Sequence, residues 1–65
     1  MTWVHVEFER VEQVTPKAIC FIIDGVRQWI PKSQIAPADV DGYDYGDTDG
    51  SVSVTDWIAR EKGLA

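Results

Sequence analysis

The residues with the most conspicuous chemistry are five aspartates, Asp39, Asp41, Asp44, Asp47 and Asp49, interleaved with Tyr43 and Tyr45. No lysine or arginine interrupts residues 36–50. Carboxylates at such spacing can hold a hard cation or meet a cationic partner. The calcium reading fails on position. Counted from Asp39, an EF-hand loop would need an oxygen ligand where Tyr43 stands, a turn glycine where Asp44 stands and a bidentate glutamate where Gly50 stands. No other start repairs the pattern, and no metal or other cofactor is expected. The second use remains. In an extended chain each residue advances roughly 3.3 Å, so successive carboxylates fall about 7–10 Å apart. That approaches the phosphate spacing of a nucleic-acid strand, and each tyrosine adds an aromatic face. A surface built to grip nucleic acid would attract such a segment at long range. Asp39, Asp41, Asp44, Asp47 and Asp49, with Tyr43 and Tyr45, are therefore the candidate partner-binding residues.

Other chemistries have fewer carriers. The chain holds one histidine, His5, and one cysteine, Cys20. His5 belongs to the polar face of an alternating segment, and Cys20 lies within an apolar run, where a cysteine behaves as a small buried hydrophobe. No base stands near Ser33, Ser51 or Ser53 in the sequence to activate a nucleophile. A 65-residue chain also leaves little volume for a water-excluding pocket of roughly 300 Å3. An enzyme is not expected. Nucleic-acid binding needs a cationic stripe, and the six bases, Arg10, Lys17, Arg27, Lys32, Arg60 and Lys62, are scattered among acids.

The net charge of −5 comes from 11 acids against 6 bases. Outside residues 36–50 six acids face six bases, so the body is neutral and the whole excess is local. The length implies one small domain, residues 1–65. Folding at this size buries roughly 60% of the unfolded surface. A lone cysteine makes no internal disulfide, so packing alone, or a second copy, must complete the core. No apolar run approaches the ~18 residues of a membrane span, and the first ten residues lack the basic start of a secretion signal. A cytoplasmic location follows as the expectation.

The elements that position these residues are strands. Ala18–Ile23 is a continuous apolar run, too short for a typical helix and rich in residues that suit a sheet. Asp24-Gly25 supplies the two φ > 0 positions of a type I′ turn. Val26–Ile30 alternates as a half-exposed strand, and Pro31 ends the pairing. Ser33–Ile35 suits one short helical turn. Upstream, Val4, Val6 and Phe8 share one face of a first strand. The alternation slips after Phe8 and resumes at Val11, as at a bulge. Residues 36–50 read as an irregular loop, Ser51–Val54 as a short strand. Thr55 makes an N-cap for a helix over Asp56–Lys62, closed by Gly63. Trp57 and Ile58 are expected to pack inward, Trp29 to be core or half-buried, and Trp3 to be exposed. These elements specify a mainly β fold. It is a small SH3-like barrel, or a strongly twisted antiparallel sheet of about four strands, with a short C-terminal α-helix.

The segment KAICFIIDGVRQWIPKSQI followed by WIAREKGL resembles a group of short phage- and prophage-encoded proteins with no assigned activity. They share an apolar strand, an Asp-Gly turn, a Trp-Ile-Pro-Lys-Ser-x-Ile segment and a closing Trp-x-Ala-x-Glu-Lys-Gly-Leu helix. The resemblance covers about half the chain and leaves out the first strand and the aspartate-rich loop. It implies a phage context in a bacterial cell and transfers no functional residue. Together with the segregated charge it leads to an expected function. The chain is read as a phage-type, anti-CRISPR-like inhibitor that binds a basic host protein or nucleoprotein complex by mimicking nucleic acid, as monomer or homodimer. The rival expectation is an accessory single-stranded nucleic-acid binder using Trp3 beside Arg10 and Lys17. A structural phage protein, oligomerising through an unpaired edge of the first strand, is the third.

Overall fold

A computed structural model of the chain describes residues 2–40 and 42–64. Asp41, one of the candidate residues, lies outside them. The fold is mainly β, with four antiparallel strands in one sheet and one short C-terminal helix. The strands are β1 (Trp3–Val14), β2 (Ala18–Ile23), β3 (Val26–Pro31) and β4 (Thr48–Thr55), and the helix is α1 (Asp56–Glu61). Their order in the sheet is β3-β2-β1-β4.

The β2–β3 hairpin forms as its sequence dictates. Asp24 and Gly25 take φ of 52° and 76°, and Ile23 pairs with Val26 across them. The register then runs unbroken to Ala18 opposite Pro31. Ile19, Phe21 and Ile23 face the core. Cys20 faces the other side and is also buried.

β1 is longer than the sequence pattern suggests, and it lies between β2 and β4 in the sheet. Its first part pairs with β4 from Trp3 opposite Thr55 to Arg10 opposite Thr48. Its second part pairs with β2 from Arg10 opposite Ile22 to Val14 opposite Ile19. The pairing slips between Val11 and Gln13, so Glu12 is the extra residue of a bulge, slightly beyond the point where the alternation falters. A bulge bends its strand and adds twist, which lets one strand serve two partners that diverge. β1 is therefore paired on both sides only around Arg10; among the described residues Trp3–Phe8 pair with β4 alone.

After β3 a single turn of 3-10 helix, Lys32–Gln34, carries the chain across the open end of the sheet. Ile35 then pairs with Val54 on the far side of β4. The sheet is curled enough that the chain leaving one edge strand reaches the other, and this one bridge closes it. Thr55 caps α1 by accepting from the Ile58 amide. At the other end Gly63, with φ 70°, lets the Gly63 amide reach the Arg60 carbonyl and the Leu64 amide reach the Ala59 carbonyl, a Schellman arrangement. Ile58 and Ala59 bury against the core. Trp57, expected to point inward, is 60% exposed, and Trp29 is exposed too. A six-residue helix has room for one inward stripe, and Ile58 and Ala59 occupy it.

The core centres on Phe8, Phe21, Ile19, Ile30, Val52 and Val54. Phe8 lies 4.8 Å from Phe21, ring centre to ring centre, and pairs across the sheet with Gly50. A Cβ at Gly50 would sit 2.5 Å from Phe8 Cζ. The Phe8 ring is held by Phe21 and Tyr43 and has no way to yield. We expect Gly50→Ala to destabilise the fold by about 1–3 kcal/mol, the usual cost of overpacking. Urea denaturation measures it; an unchanged midpoint would contradict this packing.

Candidate binding surface

β4 begins at Thr48, so Asp49 belongs to a strand and not to the loop. The remaining loop is fastened to the sheet. The Val11 amide donates to the Asp47 carbonyl and the Gly46 amide to the Val11 carbonyl, so two loop residues stand against one residue of β1 just beyond the Arg10–Thr48 pair. Along the outer side of β4, the Ala36 amide donates to the Ser53 carbonyl, the Ser53 amide donates to Asp39 Oδ2 at 3.0 Å, and the Tyr43 hydroxyl donates to the Ser51 carbonyl at 2.7 Å. An open strand edge is a template for unwanted pairing, and here Ile35, Ala36, Asp39 and Tyr43 occupy it.

This arrangement alters the roles of the candidate residues. The extended ladder of carboxylates does not form, because the chain turns at residues 37–40 and again at 45–46. Asp39 is bent onto the β4 edge. Asp47 accepts from the Asp44 amide at 2.8 Å, which ties the second turn. Tyr43 is not displayed for contact: its ring packs edge-on against Phe8 at 5.6 Å and Phe21 at 5.4 Å. Burial, with the Asp39 carboxylate a smaller contribution, pushes its hydroxyl up to about 12. Tyr45, by contrast, is 78% exposed and stands between two shallow depressions, one holding Arg27 and Trp29, the other Arg10 and Thr48.

Asp49 meets acids that sequence reasoning left out of the candidate site. It lines an open cleft of about 550 Å3 with Glu7, Glu9 and Asp24, over a floor that includes Gly50 and Ser51. Glu7 and Glu9 share the solvent face of β1, Asp24 tips the hairpin, and Glu9 Oε1 accepts from the Gly25 amide at 2.7 Å, drawing the tip toward β1. The signal for Glu7 and Glu9 was their two-residue spacing on an alternating strand; only the strand pairing adds Asp24 and Asp49. No lysine or arginine lines this cleft. Among the described residues the salt bridges are Arg10–Glu12, Arg27–Glu12 and Arg60–Asp56. None uses Glu7, Glu9, Asp24 or a described loop aspartate.

The sheet also makes one contact invisible in sequence. His5 stands opposite Ser53, with Nδ1 2.9 Å from Ser53 Oγ. Such a contact begins a nucleophile–base pair, but Ser53 is only 7% exposed and neither side chain lines any of the three depressions. The bond satisfies a buried hydroxyl. Among the described residues no group of three or more His, Cys, Asp or Glu side chains is placed to hold a metal ion. Nor is any helix long and apolar enough to cross a membrane.

Tyr43→Phe keeps the ring and removes the bond to Ser51, so a loss of about 0.5–1.5 kcal/mol is expected. The pH dependence carries its signature. The folded state holds the Tyr43 proton above its ordinary value of 10.0, so that stabilisation is complete below pH 10 and is lost as pH rises toward 12. Thermal melts across this range should show the wild type losing more stability than Tyr43→Phe; parallel curves would place the hydroxyl in water. Comparison with protein-family models, curated proteins and solved structures finds no match.

Proposed function

We propose that the chain is a phage-type protein-binding inhibitor whose acidic surface engages the basic groove of a host nucleic-acid-binding machine, with a CRISPR effector complex as the sharpest case. The observation that carries this is the cleft of Glu7, Glu9, Asp24 and Asp49, four carboxylates gathered from three elements with no cation lining the space. Carboxylates left unpaired by their own chain project a field that draws a cationic partner and orients it before contact. Tyr45 is exposed and lines two other depressions, beside Arg27 and beside Arg10; tyrosine is a frequent anchor at interfaces. Compared with the sequence expectation, the negative field comes from a composite of sheet face and loop, not from the loop alone. A rigid scaffold suits this role, since a surface already ordered loses less entropy on binding.

The rival, a nucleic-acid binder built on Trp3, Arg10 and Lys17, has less support. Trp3 opens β1, and Lys17 follows its far end, so the sheet does not gather them. Arg10 is engaged by Glu12 at 3.0 Å.

The test uses asparagine, which tolerates the left-handed backbone that Asp24 and Asp49 adopt at φ 52° and 54°. The triple variant Asp24→Asn, Asp44→Asn, Asp49→Asn removes charge while keeping shape. Titrated into a CRISPR effector complex with labelled target DNA, the wild-type chain should block DNA loading, less so at high salt. The variant should need at least about tenfold more protein, as expected when several steering charges are lost. An equal inhibitory concentration, or no effect of the wild-type chain, overturns the reading.

A further inference from the structure

The sheet protects one edge and leaves the other open. β4 is covered by Ile35, Ala36, Asp39 and Tyr43 through the Ile35–Val54 bridge and the bonds at Ser51 and Ser53. Among the described residues β3 has a strand partner on one side only. The hydrogen-bonding phase of the hairpin shows which groups face outward. The Lys32 amide donates to the Lys17 carbonyl, and a two-residue turn closes on a bonded pair, here Ile23 with Val26. Bonded and non-bonded pairs alternate, so Val26, Gln28 and Ile30 bond toward β2, while Arg27, Trp29 and Pro31 direct their main chain away from the sheet. Among the described residues nothing else bonds the main chain of Arg27 or Trp29. The strand has no bulge, carries no lysine, and exposes Val26 at 54% and Trp29 at 41%.

We infer that two copies of this chain join edge to edge through β3, antiparallel about a two-fold axis at Gln28, to make one continuous eight-stranded sheet. Self-complementarity selects this partner and this register. With Gln28 facing Gln28 of the second copy, Arg27 lies opposite the other copy's Trp29, and the reverse holds by symmetry. Both outward N–H groups and both outward carbonyls of Arg27 and Trp29 then find partners in each copy. On the solvent face each guanidinium meets an indole, a favourable cation–π pairing. On the core face Val26 lies opposite Ile30. Neighbouring registers fail. One sets Arg27 against Arg27, like charge on like charge, and places Trp29 against Gly25, whose amide is already bonded to Glu9. The other sets Trp29 against Trp29 and Arg27 against Pro31, which has no N–H to give.

Sedimentation equilibrium over a concentration series should report a species of twice the 7.3 kDa chain mass. Trp29→Lys places lysine opposite arginine in two symmetric pairs and should weaken the dimer at least about tenfold, since like charges directly opposite destabilise a strand pair. Arg27→Glu combined with Trp29→Lys should restore it, because only this register sets position 27 against position 29. Circular dichroism checks that each variant folds. If Trp29→Lys does not fold, Gln28→Cys replaces it, and a disulfide-linked dimer is expected on mild oxidation. A wild-type chain that stays monomeric to about millimolar concentration, a dimer unmoved by Trp29→Lys, no rescue by the double variant, or no crosslink at Gln28→Cys overturns the proposal. A dimer made only in the presence of another protein's strand does the same.

Discussion

The structure depends on one strand serving two partners. β1 hands over from β4 to β2 at Arg10 and Val11, and the bulge at Glu12 supplies the bend. Val11 is 1% exposed, pairs with Phe21 on one side and is bonded to Gly46 and Asp47 on the other. A flat sheet of this size would bury one face poorly. Curling it around Phe8, Phe21, Val52 and Val54 gives a short chain an enclosed core without a disulfide. The same curl leaves an open end, and the Tyr43 ring enters it beside Phe8 and Phe21. The aspartate-rich segment is thus part of the fold before it is anything else.

That double duty divides the carboxylates. Asp39 and Asp47 accept backbone amides and hold the loop in shape. Asp24 and Asp49 take left-handed backbone angles that bulky residues avoid; both are exposed and line one cleft with Glu7 and Glu9. Like charges so close repel one another, a cost that packing elsewhere must offset. A cationic partner would relieve it, which is the physical link between the local charge excess and the function proposed for the chain.

The hairpin, its turn, the N-cap at Thr55 and the glycine stop at Gly63 were legible because each is set by neighbours in sequence. The mainly β class followed from them. What was not legible required long-range pairing. By spacing alone the aspartates form an extended arm, because nothing local reveals that Asp39 bonds Ser53 or that Tyr43 reaches the Phe8–Phe21 cluster. Thr48–Gly50 looked like loop because its strand character comes from pairing with Phe8 and Arg10, not from its own residues. Hydrophobicity alone places Trp57 inside, but a helix this short buries Ile58 and Ala59 and turns the indole outward. Glu7 and Glu9 were visible as a solvent face; that they share it with Asp49 and the hairpin tip is a property of the sheet.

The central claim is that the acidic residues are displayed from a fixed surface and not from a mobile arm. Native-state amide hydrogen exchange at Ser53 tests it most directly, because among the described residues that amide is held by the Asp39 side chain alone, folded back across the β4 edge. Exchange at Ser53 as slow as at the buried Val54 amide, requiring close to the full unfolding free energy, is the predicted result. Ser53 exchanging orders of magnitude faster than Val54 would mean that Asp39 does not hold the β4 edge, and the loop aspartates would be displayed from a mobile arm after all.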